Sequence, residues 1–175
     1  MTDKLITITK EDYHLASQKF HCKVERIHGV GVDENRYHSV LQEEQMEIRK
    51  QFGFTDGQKM LGYVTNLQEY QKIADVSVSC SKREGLPLNI VEAMLSGTPV
   101  VASVNRGHRE LIQNGKNGFL IDVNDCERIA DKVLKILTDK QLYGEIQKNA
   151  NTYAQAYTFR NVKRELTKVY GFKDE

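Results

Sequence analysis

SKREGLPLNIVEAMLSGTPVVAS, residues Ser81 to Ser103, is the stretch on which the fold turns. The five residues before it, Val76-Ser77-Val78-Ser79-Cys80, alternate apolar with small and carry β-branched side chains, which predicts a short buried strand. Within it, Ile90, Val91, Met94 and Leu95 recur at helical spacing. Gly97 stands where a helix C-terminus calls for a left-handed residue, and Pro99 blocks continuation. A second strand is expected from Pro99 to Ala102. Strand, Gly-Leu-Pro turn, helix and strand in that order form a unit of a parallel α/β sheet.

Such a unit presents unpaired donors, because the first N–H groups of a helix have no intrahelical partner and the helix dipole favours negative charge there. The free amides expected here are those of Leu86, Leu88 and Asn89; Pro87 has none, and Gly85 lets a ligand approach the backbone closely. A diphosphate suits that donor set. Glu84 precedes the helix and Glu92 falls about one turn inside it, so the two carboxylates reach different parts of an extended ligand. Acids beside a phosphate site call for hydroxyl partners, hence a sugar. Two glutamates alone would read better as favourable charges beside a helix N-terminus and on its solvent face.

Working outward, Glu11 to Phe20 is helix-like. His38 to Gly57 has sparse apolar positions at Leu41, Met46, Ile48 and Phe52 and reads as a mostly exposed helix. After a strand at Gly118 to Ile121, Cys126 to Leu137 carries Ile129, Ala130, Val133, Ile136 and Leu137 at helical spacing, with Asn124 or Asp125 as cap. The tail from Lys140 to Tyr170 holds two helical patterns broken near Tyr157-Thr158, with Val162, Leu166, Val169 and Tyr170 as one stripe.

Composition excludes several classes. The 25 basic and 24 acidic residues of the 175 give a net charge of +1, so no global field draws nucleic acid. No apolar stretch approaches about 18 residues, and the start MTDKLITITKEDY is not a signal sequence. Three cysteines, Cys22, Cys80 and Cys126, suit free thiols in a reducing cytoplasm. His14, His21, His28 and His38 beside Cys22 lack CxxC or HxxxH spacing, so no metal site is expected. Gly29-Val30-Gly31 lacks the third glycine of a dinucleotide fingerprint, because Asn35-Arg36 follows where a helix should open; this disfavours a nicotinamide-dependent oxidoreductase.

Glu84 and Glu92 have the spacing E-x7-E, and EGLPLNIVEAMLSGTPVVAS resembles the signature of retaining glycosyltransferases of the group-one, or family-four, type. Upstream, Leu61-Gly62-Tyr63, Leu67, Tyr70 and Ala74-Asp75 resemble the family's approach to the strand before the motif. Downstream, Asn105 to Ile112 and Asn114 to Ile121 resemble its next loop, turn and strand. The subtype is similar to bacterial capsule and exopolysaccharide transferases. The resemblance implies an α/β fold: a Rossmann-like parallel sheet with flanking helices. This would be an incomplete C-terminal, donor-binding domain plus a remnant of the N-terminal domain.

On that resemblance, residues 1–38 are the N-terminal remnant, its last strand (Lys4 to Ile8), helix (Glu11 to Phe20) and strand with exit loop (Val24 to Asp33), 39–62 a connector helix and shortened junction, and 63–175 the nucleotide-sugar domain with its crossover helices. The chain is expected to be N-terminally truncated. It is also expected to be shortened near Lys59 to Leu61 by roughly two βαβ units of about 30 residues, which takes with it the basic residues that hold the donor diphosphate. By the same resemblance, Glu84 contacts the transferred sugar, Gly85 and Leu86 approach it, Leu88 and Asn89 meet the phosphates, and Glu92 accepts from the ribose hydroxyls. A nucleotide-sugar donor, UDP-linked, is implied with no metal, as is a glycan or lipid-linked acceptor. The expected place is the cytoplasm, peripheral to the membrane's inner face, with Lys163, Lys168 and Lys173 as the lysines near the C-terminus. The alternative reading is a catalytically silent remnant or interaction module. The strands left without neighbours predict self-association through an exposed sheet edge, unless the N-terminal strand pair docks there.

Overall fold

The computed structural model describes residues 4–55, 57–63 and 68–171; Leu67, Lys173 and the first three residues lie outside them. The chain runs β1 (Lys4–Thr7), α1 (Lys10–Lys19), β2 (Lys23–Arg26), α2 (Gln42–Gln51), β3 (Leu61–Tyr63) and α3 (Gln68–Ile73). It continues with β4 (Val76–Ser79), α4 (Leu88–Leu95), β5 (Val100–Ser103), α5 (Arg106–Leu111), β6 (Phe119–Ile121) and α6 (Cys126–Thr138). Then come α7 (Lys140–Ala154), a 3-10 turn at Gln155–Tyr157 and α8 (Phe159–Tyr170). Among the described residues β3-β4-β5-β6 form one parallel sheet and β1-β2 a separate parallel pair.

Alternation along β5 divides the interior. Val100 and Ala102 join Ile90, Val91, Met94 and Leu95 of α4 and Ala150 and Ala154 of α7 on one face. Val101 joins Val76, Val78, Phe119, Ile121 and Ile136 on the other, beneath α6. Both faces are therefore covered, as a parallel sheet requires, and all four β5 residues are buried. Gly97 takes φ +78, ending α4 in the left-handed conformation that its position in the sequence implied. Asn151 Nδ2 on α7 donates to the Leu95 carbonyl at 2.8 Å and Gln147 Nε2 to that of Gly97 at 2.8 Å, satisfying acceptors that the helix end leaves open.

The β1-α1-β2 unit does not extend the four-stranded sheet, so β3 and β6 remain its edges among the described residues. It docks instead through α5 and the tail. The Glu110 carboxylate, whose side chain is 5% exposed, accepts from the Lys10 amide at 2.9 Å and pairs with Arg26 at 3.3 Å. Arg106 donates to the Thr9 hydroxyl at 3.0 Å and pairs with Glu11 and Asp12. Past β2, Val32 exchanges backbone hydrogen bonds with Tyr157 and Phe159, and the His28 amide donates to Glu165 on α8 at 2.8 Å. The tail thus returns to the first unit.

Removing Glu110 strands Arg26 without its buried counter-charge, which costs about 3–5 kcal/mol. Glu110→Ala is accordingly expected to lower urea stability by that order and to expose the α1 segment to limited proteolysis; unchanged cleavage at α1 would show that the unit is held elsewhere.

Candidate functional site

The site is built where β4 ends and α4 begins. Pro87 is the extended N-cap residue of α4, supplying no side-chain cap. Its carbonyl takes the amides of Ile90 and Val91, at 3.2 and 3.4 Å. The amides of Leu86, Leu88 and Asn89 donate to no group among the described residues. The helix end is therefore uncapped, and open helix N–H groups of this kind favour an anion. Gly85 is exposed, with open space where a side chain would stand.

Glu84 is half-buried beside that end and makes no hydrogen bond or ion pair with the described residues. Its carboxylate is thus available to a ligand. Glu92, one turn into α4, accepts from Gln71 Nε2 at 3.2 Å and lies in polar contact with the Tyr37 hydroxyl. Burial raises its pKa above the usual carboxylate range, against the opposing pull of Gln71 and Tyr37. Burial and the Glu92 charge raise the pKa of Tyr37 in turn. Gln71 and Tyr37 carry no motif spacing; the spatial meeting of α3, the exit loop and α4 brings them together, and the signature alone did not reveal them.

The loop from Ser81 to Gly85 rests on α5. The Ser81 carbonyl accepts from Ser103 Oγ at 2.5 Å and from Asn105 Nδ2 at 2.8 Å. His108, fully buried, places Nδ1 2.6 Å from the Ser103 carbonyl, an acceptor, so the proton sits on Nδ1 and Nε2 faces the Ser79 hydroxyl at 3.3 Å. Burial lowers the His108 pKa and keeps the ring neutral, while its Ser103 hydrogen bond and the nearby Glu84 charge oppose that shift. On the opposite flank the exit loop arrives with Gly29 at φ +86, its α-carbon against the Leu86 side chain. The structure thus gathers all six sequence-chosen residues, Glu84, Gly85, Leu86, Leu88, Asn89 and Glu92, along one loop and one helix end.

A different cleft of about 430 Å³ lies between α1 and α5, lined by Lys10, His14, Arg106 and Arg109 among others. A groove of about 550 Å³ runs beside α2, lined by Arg49, Asp75 and Tyr143. Burial, with the Asp75 charge, pushes the Tyr143 hydroxyl up to about 12. Neither contains the two glutamates of the motif. No described helix is long and apolar enough to cross a membrane.

Residues 31–153 match the family model described as glycosyl transferases group 1. EpsD of Bacillus subtilis is 27% identical over 230 aligned positions covering 97% of this chain and 60% of EpsD. About 170 residues, 97% of 175, enter those 230 positions, so about 60 positions of EpsD face a gap. The poly(ribitol-phosphate) alpha-N-acetylglucosaminyltransferase of Staphylococcus aureus is 31% identical over 75% of this chain and 24% of its own length. The chain therefore spans 60% of the length of one of these curated relatives and 24% of the other. Among solved structures, sucrose-phosphate synthase from Thermosynechococcus elongatus superposes with a TM-score of 0.83 at 16% identity, over 98% of this chain and 58% of the synthase. Anabaena HepE in complex with UDP-glucose gives 0.79 at 18% identity, over 98% and 64%. These likenesses carry the fold, that of two-domain glycosyltransferases, matched over part of its length. The chain belongs to the group 1 glycosyl transferases.

The raised pKa of Glu92 has a stability consequence. Its native state holds a proton more tightly than its unfolded state, so the contribution is fully present below the unfolded pKa and is lost as pH rises through the folded one. Glu92→Gln removes that loss. Relative to the unaltered chain it is expected to be more stable at pH 7 than at pH 4 by thermal unfolding; a difference independent of pH would contradict the burial of this carboxylate.

Proposed function

We propose that this member of the group 1 glycosyl transferases binds a UDP-linked sugar at the open end of α4 and transfers the glycosyl group to an acceptor hydroxyl in glycan biosynthesis, with retention at the anomeric carbon. The single observation that carries the reading is the uncapped α4 N-terminus, with unpaired amides at Leu86, Leu88 and Asn89, flanked by Glu84 and Glu92. The amides of Leu88 and Asn89 take the diphosphate, Gly85 and Leu86 the space beside the sugar, Glu84 the sugar hydroxyls, and Glu92 the ribose hydroxyls. Glu84 is the catalytic residue of this scheme because it touches the sugar being transferred.

During transfer the bond between the anomeric carbon and the diphosphate oxygen breaks and its electron pair leaves with the phosphate, while the acceptor oxygen bonds to that carbon on the same face and its proton passes to the departing phosphate oxygen. Preorganised N–H donors at the helix end stabilise that growing charge, the role a divalent cation fills in other sites. The reaction is therefore proposed to need no metal. The acceptor, a glycan or a lipid-linked sugar, enters from the side of the β1-α1-β2 unit, with the chain working in the cytoplasm at the inner face of the membrane. The approximately 60 positions of EpsD that find no counterpart here favour a second reading, an inactive module that pairs with a complete transferase.

Titration calorimetry tests the donor reading. UDP is expected to bind with an affinity indifferent to EDTA, and Glu92→Gln to weaken it by roughly tenfold or more, the share of one or two hydrogen bonds to a charged acceptor. Affinity is expected to fall as pH drops through the raised Glu92 pKa, because the neutral acid is the weaker acceptor. No UDP binding, or binding indifferent to Glu92→Gln, would sink the assignment. Binding without glycosyl transfer to any lipid-linked or glycan acceptor would favour the module.

A further inference from the structure

We infer that Gly107, in the first turn of α5, is a positioning residue that sets the place of Glu84 and so tunes recognition of the donor's sugar; this rests on the donor reading above. A β-carbon on Gly107 would stand 2.5 Å from the Gly85 carbonyl oxygen, 2.8 Å from Glu84 Cβ and 3.0 Å from the Glu84 carbonyl carbon. Carbon atoms in comfortable contact lie about 3.5–4.0 Å apart, so the glycine is what lets the two backbones touch. Conformation does not demand it. Gly107 is absent from the residues with positive φ, and a helix turn would favour alanine.

The same turn holds the other end of the loop. Asn105 does two jobs with one side chain: its Oδ1 accepts the His108 amide at 2.9 Å, capping α5, while its Nδ2 donates to the Ser81 carbonyl. Ser81 is thus fastened by hydrogen bonds and Glu84-Gly85 by direct backbone contact. The Glu84 side chain makes no hydrogen bond or ion pair with the described residues, so the backbone sets the region its carboxylate can reach. The Leu88 and Asn89 amides and Glu92 belong to α4, and none of them is among the three atoms nearest a β-carbon on Gly107. Disturbing the α5 turn therefore separates sugar recognition from nucleotide recognition.

The test compares UDP with UDP-glucose by calorimetry on the purified 175-residue chain, its Gly107→Ala variant and its Asn105→Asp variant. The aspartate keeps an oxygen to cap α5 and loses the donor to Ser81, so it carries the test should the alanine variant fold poorly; thermal unfolding reports on both. Each variant is expected to bind UDP as the unaltered chain does, while the ratio of UDP-glucose to UDP affinity falls on the order of tenfold, the share of one hydrogen bond to a carboxylate. A ratio unchanged in folded variants overturns the positioning role and leaves the donor reading standing. Failure of the unaltered chain to bind UDP overturns the donor reading and the positioning role with it.

Discussion

An uncapped helix end is the constraint around which this molecule is arranged. α4 begins on proline, a residue that supplies neither a side-chain cap nor an N–H, and the amides that follow are left without protein partners. Such donors are costly to bury and inexpensive to leave open to a charged ligand. The surroundings keep them open. Gly85 adds no bulk, and the exit loop passes close to the Leu86 side chain at Gly29, where a β-carbon would collide with it.

Holding that end still is the work of the layers behind it. α4 is pinned between β5 and α7 by buried Ile90, Val91, Met94 and Leu95, and its carbonyl end is satisfied from α7 by Asn151. The loop ahead of it is fastened at Ser81 by Ser103, the last residue of β5, and by Asn105, the N-cap of α5. That short α5 helix also receives the first unit, through Arg106 and Glu110. One six-residue element therefore faces both the candidate donor site and the junction with the β1-α1-β2 unit. A change at that junction has a direct mechanical route to Glu84.

The elements around the motif were legible because local rules agree there: β-branched alternation for β4, helical spacing for α4, a left-handed glycine at Gly97 and a proline stop. Asp125, one of two cap candidates, proves to be the residue that caps α6. All six candidate site residues lie in a single run of chain, which is why sequence could gather them. Tyr37 and Gln71 were invisible for the opposite reason, since they reach Glu92 from separate elements with no spacing of their own. Of the fates open to the N-terminal strand pair, docking against the sheet edge was one; the pair instead seats on α5 and α8, through ionic contacts over 80 residues apart in sequence. Contacts of that range leave no periodic trace.

The most direct test is to follow the backbone amide resonances of the isotope-labelled chain as UDP is added. If the open end of α4 holds the diphosphate, the largest shifts fall on the Leu88 and Asn89 amides, with smaller ones at Leu86 and near Glu92 and little change along α2. Shifts centred on the groove between α2 and α7, or a spectrum indifferent to UDP, would contradict the claim that these unpaired amides are the nucleotide site.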